Sequence, residues 1–173
     1  NAAVFVGWND PTRLSEAVMA ADGSGFDLNL LGSTAGVTYN ALGFNTVDNY
    51  LYAIRDNNGL QRIGTDGVPE GLGAIAGLPG NNYNMGSFGY NNHAGIHFVG
   101  TLDNGSAIWA IDVDAQTAQR IDLTGGTLPN VSDFAYWDGY LWAYNGFTNK
   151  DFYRIDLTGV DLAAAGPYSA PVA

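Results

Sequence analysis

Between residues 42 and 54 the chain reads Leu-Gly-Phe-Asn-Thr-Val-Asp-Asn-Tyr-Leu-Tyr-Ala-Ile. Aromatic and β-branched residues on either side of a polar cluster predict a strand, a turn and a second strand. Variants of the same pattern recur at 86–99 and 133–144. Phe26, Leu28 and Leu30 alternate with Asp27 and Asn29, which predicts a half-buried strand over 26–33. Residues 13–21 have the propensity for a turn or two of helix, but their place in the repeat predicts a strand. Turn signals punctuate the chain at Asn9-Asp10-Pro11, Asp22-Gly23-Ser24-Gly25, Asp56-Asn57-Asn58-Gly59, Thr65-Asp66-Gly67 and Asp103-Asn104-Gly105. The Asn-Gly pair at 58–59 suits a hairpin, because tight hairpins need residues that tolerate positive φ.

Equivalent positions keep one period. Phe5, Leu51, Ile96 or His97, and Leu141 fall in the second strand of successive units. Leu14, Leu60, Ile108 and Phe152 fall in the third, at intervals of 46, 48 and 44 residues. A period of this length with four strands per unit is the mark of propeller blades. The predicted fold is all-β, a β-propeller-like array of about four blade-sized antiparallel units over 2–35, 36–79, 80–128 and 129–162. Residues 163–173 form a tail or closing strand. One word breaks the rhythm: Arg-Ile-Asp-Leu-Thr-Gly occurs at 120–125 and again at 154–159. These copies are only 34 residues apart, so the register puts them on different strands.

The words Gly43-Phe44-Asn45, Asp48-Asn49-Tyr50-Leu51-Tyr52-Ala53-Ile54 and Tyr153-Arg154-Ile155-Asp156-Leu157-Thr158-Gly159 resemble a bacterial family of secreted propeller-like repeat domains. The resemblance covers roughly residues 36–159. It implies strand packing and turns in an extracellular or cell-surface protein, and it brings no catalytic residues. The first unit lacks an obvious first strand. The unpaired edge at Val4, Phe5 and Val6 is then a liability. It would be filled by the tail (Tyr168, Val172), or by another chain in a dimer or head-to-tail polymer.

Charge narrows the partners. With 17 acidic and 6 basic residues the net charge is −11, which repels phosphate backbones and anionic lipid. Nucleic acid and membrane insertion are therefore not expected, and no run of 18 apolar residues occurs. The absence of cysteine removes disulfides and thiol chemistry. A start at Asn1 without methionine reads as a terminus left by leader removal or as an artificial start, and an extracellular or cell-surface location is expected.

Chemistry is sparse. His93 and His97 are the only histidines, and strand spacing puts them too far apart for one ion. His97 is expected to pack where Tyr52 and Trp142 pack. Asp112 and Asp114 fall on one strand face, as a carboxylate pair for a hydrolase would. Oxygen-rich turns make Asp22, Asp27, Asp56, Asp112 and Asp114 candidate calcium ligands, and no other cofactor is expected. Trp137, Asp138 and Tyr140 at a turn are the candidates for stacking on a sugar, whereas Tyr52, Trp109 and Trp142 are expected in the core. The expected function is non-enzymatic: structural or adhesive, through self-association or a surface glycan or protein. The alternatives are a carbohydrate-binding module and a hydrolase using the Asp112–Asp114 pair.

Overall fold

The computed structural model describes residues 4–8, 10–32, 36–101, 105–146 and 150–173; the expected turn at Asp103-Asn104 lies outside them. The first sheet is β1 (Val4–Trp8), β2 (Arg13–Met19) and β3 (Phe26–Leu31). The second is β4 (Tyr39–Asn45), β5 (Tyr50–Arg55), β6 (Gly59–Ile63) and β7 (Pro69–Ala74). The third contains β8 (Tyr83–Phe88), β9 (Ile96–Thr101), β10 (Ala107–Asp112) and β11 (Thr117–Thr124). The fourth is β12 (Asp133–Trp137), β13 (Tyr140–Tyr144) and β14 (Phe152–Asp156). A last strand, β15 (Tyr168–Pro171), joins the third sheet parallel to β11. The hairpins close where Asp, Asn and Gly accept positive φ, as at Asp138 (50°) and Gly139 (83°) between the paired Trp137 and Tyr140.

Three cores lie between successive sheets. Leu14 of the first sheet packs with Leu51, Ala53 and Ile63 of the second. Tyr52, Ile54 and Leu60, on the second sheet's other face, pack with Phe88, Trp109 and Ile111 of the third. Phe98, Ile108 and Ile121 then meet Phe134, Leu141 and Ile155 of the fourth. Every middle sheet is thus apolar on both faces. The innermost strands β4, β8 and β12 lie against one another in that order.

Loop contacts show which strand each sheet lacks. The β5–β6 turn meets the start of the third unit through Asn81 N–H to the Asn57 carbonyl. Gly105, between β9 and β10, exchanges backbone bonds with Leu128 ahead of β12. Thr12, after β1, donates its N–H to the Val37 carbonyl ahead of β4, and its hydroxyl donates to the Tyr39 carbonyl and accepts the Tyr39 N–H at the start of β4. So β1 corresponds to β5, β9 and β13. Among the described residues the first sheet has no innermost strand and the fourth no full outermost one.

That correspondence corrects one set of anchors. Leu51, His97 and Leu141 all face the preceding sheet, whereas Phe5 faces the second sheet, the one that follows it. Val4, not Phe5, is their counterpart. His97 therefore aligns with Leu51 and Leu141, while Phe98 aligns with Tyr52 and Trp142. A slip of one residue exchanges the two faces of a strand, so an anchor chosen on apolarity alone picks the wrong side.

The tail is a second correction. Tyr168 and Val172 do not fill the edge of the first sheet. Tyr168 pairs with Ile121 on β11, and Val172 bridges Ile155 on β14. Arg154 and Ala173 exchange backbone bonds, and Val172 N–H reaches the Thr124 carbonyl. The two copies of Arg-Ile-Asp-Leu-Thr-Gly do sit on different strands, and they grip the tail from either side. Ala170 is fully buried in this clasp. Ala170→Glu is expected to lower stability by about 3 kcal/mol, since it forces a larger, charged side chain into a fully buried position. Urea unfolding followed by far-ultraviolet circular dichroism measures it.

Candidate functional site

The fourth sheet's outer face carries Trp137 from β12, Tyr140, Trp142 and Tyr144 from β13, and Phe152 and Arg154 from β14, all on one side by pairing. The second sheet bears the same set facing the third: Tyr50, Tyr52 and Ile54 on β5, Leu60 and Arg62 on β6. Even the cation is reproduced, for Arg62 stands 4.8 Å above the Tyr50 ring and Arg154 4.8 Å above Tyr140. What differs is the cover. Tyr52 is 3% exposed and Leu60 0%, but their counterparts Trp142 and Phe152 are 43% and 73% exposed. Trp142 was expected in the core, and it is not there because no sheet follows the fourth among the described residues.

The opposite end of the stack has the matching defect. On the first sheet's outer face lie Val4, Val6 and Trp8 of β1, Ala17 and Met19 of β2, and Phe26, Leu28 and Leu30 of β3. Phe26, Leu28 and Leu30 are all exposed, so the apolar side of β3 is its open side rather than its buried one. Leu51, Ala53 and Ile63, the counterparts of Val4, Val6 and Ala17, are buried under the first sheet. The four sheets therefore form an open stack whose two ends resemble the two halves of its own internal joints. An exposed apolar area of this kind marks an interaction surface.

The turn candidates are partly assembled. Trp137 is the most open tryptophan of the described residues, with Tyr90 edge-on at 6.1 Å. Asp138 donates its backbone N–H to the Tyr90 hydroxyl, and Tyr140 is half-buried under Arg154. The acidic candidates are scattered. Asp22 accepts both the N–H and the hydroxyl of Ser24, which hold its carboxyl below the usual range. Asp27 is exposed on β3, and Asp56 pairs with Arg55. Asp112 and Asp114 do not share a strand face: β10 ends at Asp112, whose carboxylate accepts the N–H groups of Asp114 and Ala115 to close the turn. Among the described residues no three acidic or histidine side chains converge on a cation position.

Both histidines belong to the packing. The Val160 carbonyl can only accept, so His93 Nε2 at 3.0 Å carries the proton. His93 Nδ1 lies 2.9 Å from the Tyr136 hydroxyl. His97 is fully buried and stacked on Phe88 at 4.5 Å. Neither of its nitrogens makes a well-formed hydrogen bond, although the nearby Ala41 carbonyl slightly favours the protonated form. Burial dominates and pushes its pKa down to about 3. Shielding raises Asp133 to about 6, against the pull of the Phe134 and Gly86 N–H groups that it accepts. The residue as a whole is exposed, so water on its outer side weakens that effect.

A family model described as "Repeat of unknown function (DUF6923)" matches residues 3–171. No curated protein matches the chain. Among solved structures, Myxococcus xanthus glutaminyl cyclase is 13% identical with a TM-score of 0.56. The match covers 96% of this chain and 65% of the cyclase chain, so the chain spans just under two thirds of that protein. A chain in the nidogen/laminin complex is 11% identical with a TM-score of 0.58, covering 99% of this chain and 80% of its own. At these identities the likeness is one of fold, a propeller-type stack of sheets. Among the described residues no helix is long and apolar enough to cross a membrane.

Proposed function

We propose, from the premise that the chain belongs to this repeat family, that it is a non-enzymatic structural or adhesive part of an extracellular or cell-surface assembly. It acts by self-association. The aromatic outer face of the fourth sheet of one copy packs on the aliphatic outer face of the first sheet of the next. Such a contact is head-to-tail, and it closes a ring or extends a fibre according to the rotation between copies. The observation that supports this reading is the repeat within the chain: where another sheet follows, Leu14, Leu60 and Ile108 at the position of Phe152 are buried, and at the position of Trp142 Tyr52 and Phe98 are buried and Phe5 partly so. In light scattering, the mass of the chain is expected to rise with concentration, and Phe152→Asp is expected to hold it monomeric. A wild-type monomer at several hundred micromolar would remove the proposal.

A second reading has its own support. Trp137 presents a broad open ring beside Asp138 and Tyr140, the pairing of flat apolar surface with polar groups that sugars favour. A glycan array is expected to show ligands that Trp137→Ala loses, and a blank array would end this alternative.

A further inference from the structure

We propose that the groove beside the free edge of β1 receives an extended polypeptide segment carrying a small residue followed by an aromatic. The segment pairs antiparallel with β1 and takes the place of an innermost strand, which the described residues of the first sheet do not supply. A groove of ≈ 480 Å³ runs there, with Phe5, Val6, Gly7 and Trp8 on one wall and Tyr39 and Leu42 on the other. Among the described residues no strand pairs with this edge of β1. Thr12, Thr38, Asn40 and Asp133 also line it, so the groove offers polar as well as apolar contacts. An unpaired edge beside such a groove is the setting for strand addition, in which backbone bonds give affinity and side-chain pockets give selectivity.

The chain itself states the occupant's chemistry. In the other three sheets the equivalent slot holds β4, β8 or β12, paired antiparallel with the next strand. Each carries a small residue before an aromatic: Gly43-Phe44, Ser87-Phe88 and Ala135-Tyr136. The small residue of one innermost strand lies against the aromatic residue of the next, against the ring at Phe88 and against the backbone at Tyr136. A Cβ on Gly43 would come within 2.9 Å of the Phe88 ring, and the Tyr136 N–H donates to Ser87 Oγ at 2.9 Å. Phe88 is accordingly 6% exposed and Tyr136 8%, whereas Phe44 is 41% exposed. Phe44 thus lacks the small residue that its counterparts have over them. The tail is not the occupant, because it is held between β11 and β14.

This goes beyond the end-face reading, since it concerns pairing along an edge rather than packing on a face. The test therefore uses a Leu28→Asp/Phe152→Asp variant, in which both end faces are blocked. The probe is the peptide Val-Ser-Asp-Phe-Ala-Tyr-Trp, a copy of residues 131–137, and the readout is amide hydrogen exchange by NMR. The peptide is expected to bind saturably, slow exchange along Val4–Trp8 and shift the Phe44 ring resonances. Replacing its alanine by tryptophan is expected to weaken binding about tenfold or more by clashing over Phe44. Phe44→Ala in the protein is expected to weaken it comparably. Unchanged exchange on β1, protection confined to other strands, or indifference to the alanine-to-tryptophan change would overturn the proposal.

Discussion

Gly86→Ala is expected to destabilise the protein by about 4 kcal/mol or more, a fall of roughly 8–16 °C in Tm. A Cβ at this position would lie 2.2 Å from the Ala41 carbonyl oxygen, 2.3 Å from its carbon and 2.7 Å from Ala41 Cα. These are backbone atoms, so no rotamer change relieves the overlap. Ala41 is itself fixed: it is fully buried, has φ of 53°, and occupies the irregular pairing between Asn40 and Gly43 on β4. Either β4 and β8 separate, opening the core around Tyr52, Phe88 and Trp109, or the bulge reorganises. Gly25→Ala is the control, because nothing lies within 4 Å of its added Cβ; a change below about 0.5 kcal/mol is expected there. Thermal unfolding by circular dichroism compares the two, and near-equal midpoints would contradict the close approach of β4 to β8.

Acid is expected to destabilise the fold through His97. In the unfolded chain this imidazole titrates near 6.5, but in the folded protein burial pushes it down to about 3. Between those values the unfolded state binds the proton and the folded state does not. The contribution is therefore complete above about pH 6.5 and is lost progressively as pH falls toward 3, at up to ~1.4 kcal/mol per pH unit. The full loss is on the order of 5 kcal/mol. Asp133 works in the opposite sense. A carboxyl raised to about 6 favours the folded state at low pH, and that contribution fades as pH rises through 6. His97 prevails because it is wholly buried, while Asp133 opens to water. His97→Leu, which places the residue of Leu51 and Leu141 at the equivalent position, is expected to flatten the acid limb between pH 6.5 and 4. Urea midpoints across that range measure it; an equally steep limb in the variant would contradict the assignment.

Period and pairing were legible along the chain because they rest on local chemistry. Leu14, Leu60, Ile108 and Phe152 do occupy one position, on the face toward the following sheet. Strand β2 formed despite some helical propensity, since its partners on both sides fix an extended backbone. What could not be read was which apolar faces are covered. Leu28 and Trp142 carry the same pattern as buried residues in the middle sheets, and alternation records that a face is apolar, not that a neighbour exists. The tail was equally hidden, because its pairing with β11 is parallel and joins residues some 45 positions apart. The signal that would have exposed the end faces is arithmetic: a stack of four sheets has only three joints, so two of its eight faces have no internal partner. Trp137 was found from its turn, whereas Phe152, Leu28 and Leu30 required the count of joints.

Mixing two end-blocked variants tests the matching of the end faces most directly. Leu28→Asp disables the first sheet's outer face and Phe152→Asp the fourth's, each at an exposed position where the fold is not at stake. In sedimentation velocity each variant alone is expected to run as a monomer, while an equimolar mixture forms a dimer through the one intact face on each partner and grows no further. Self-association of either variant at wild-type strength, or a mixture that stays monomeric, would contradict the claim that the two ends are halves of one joint.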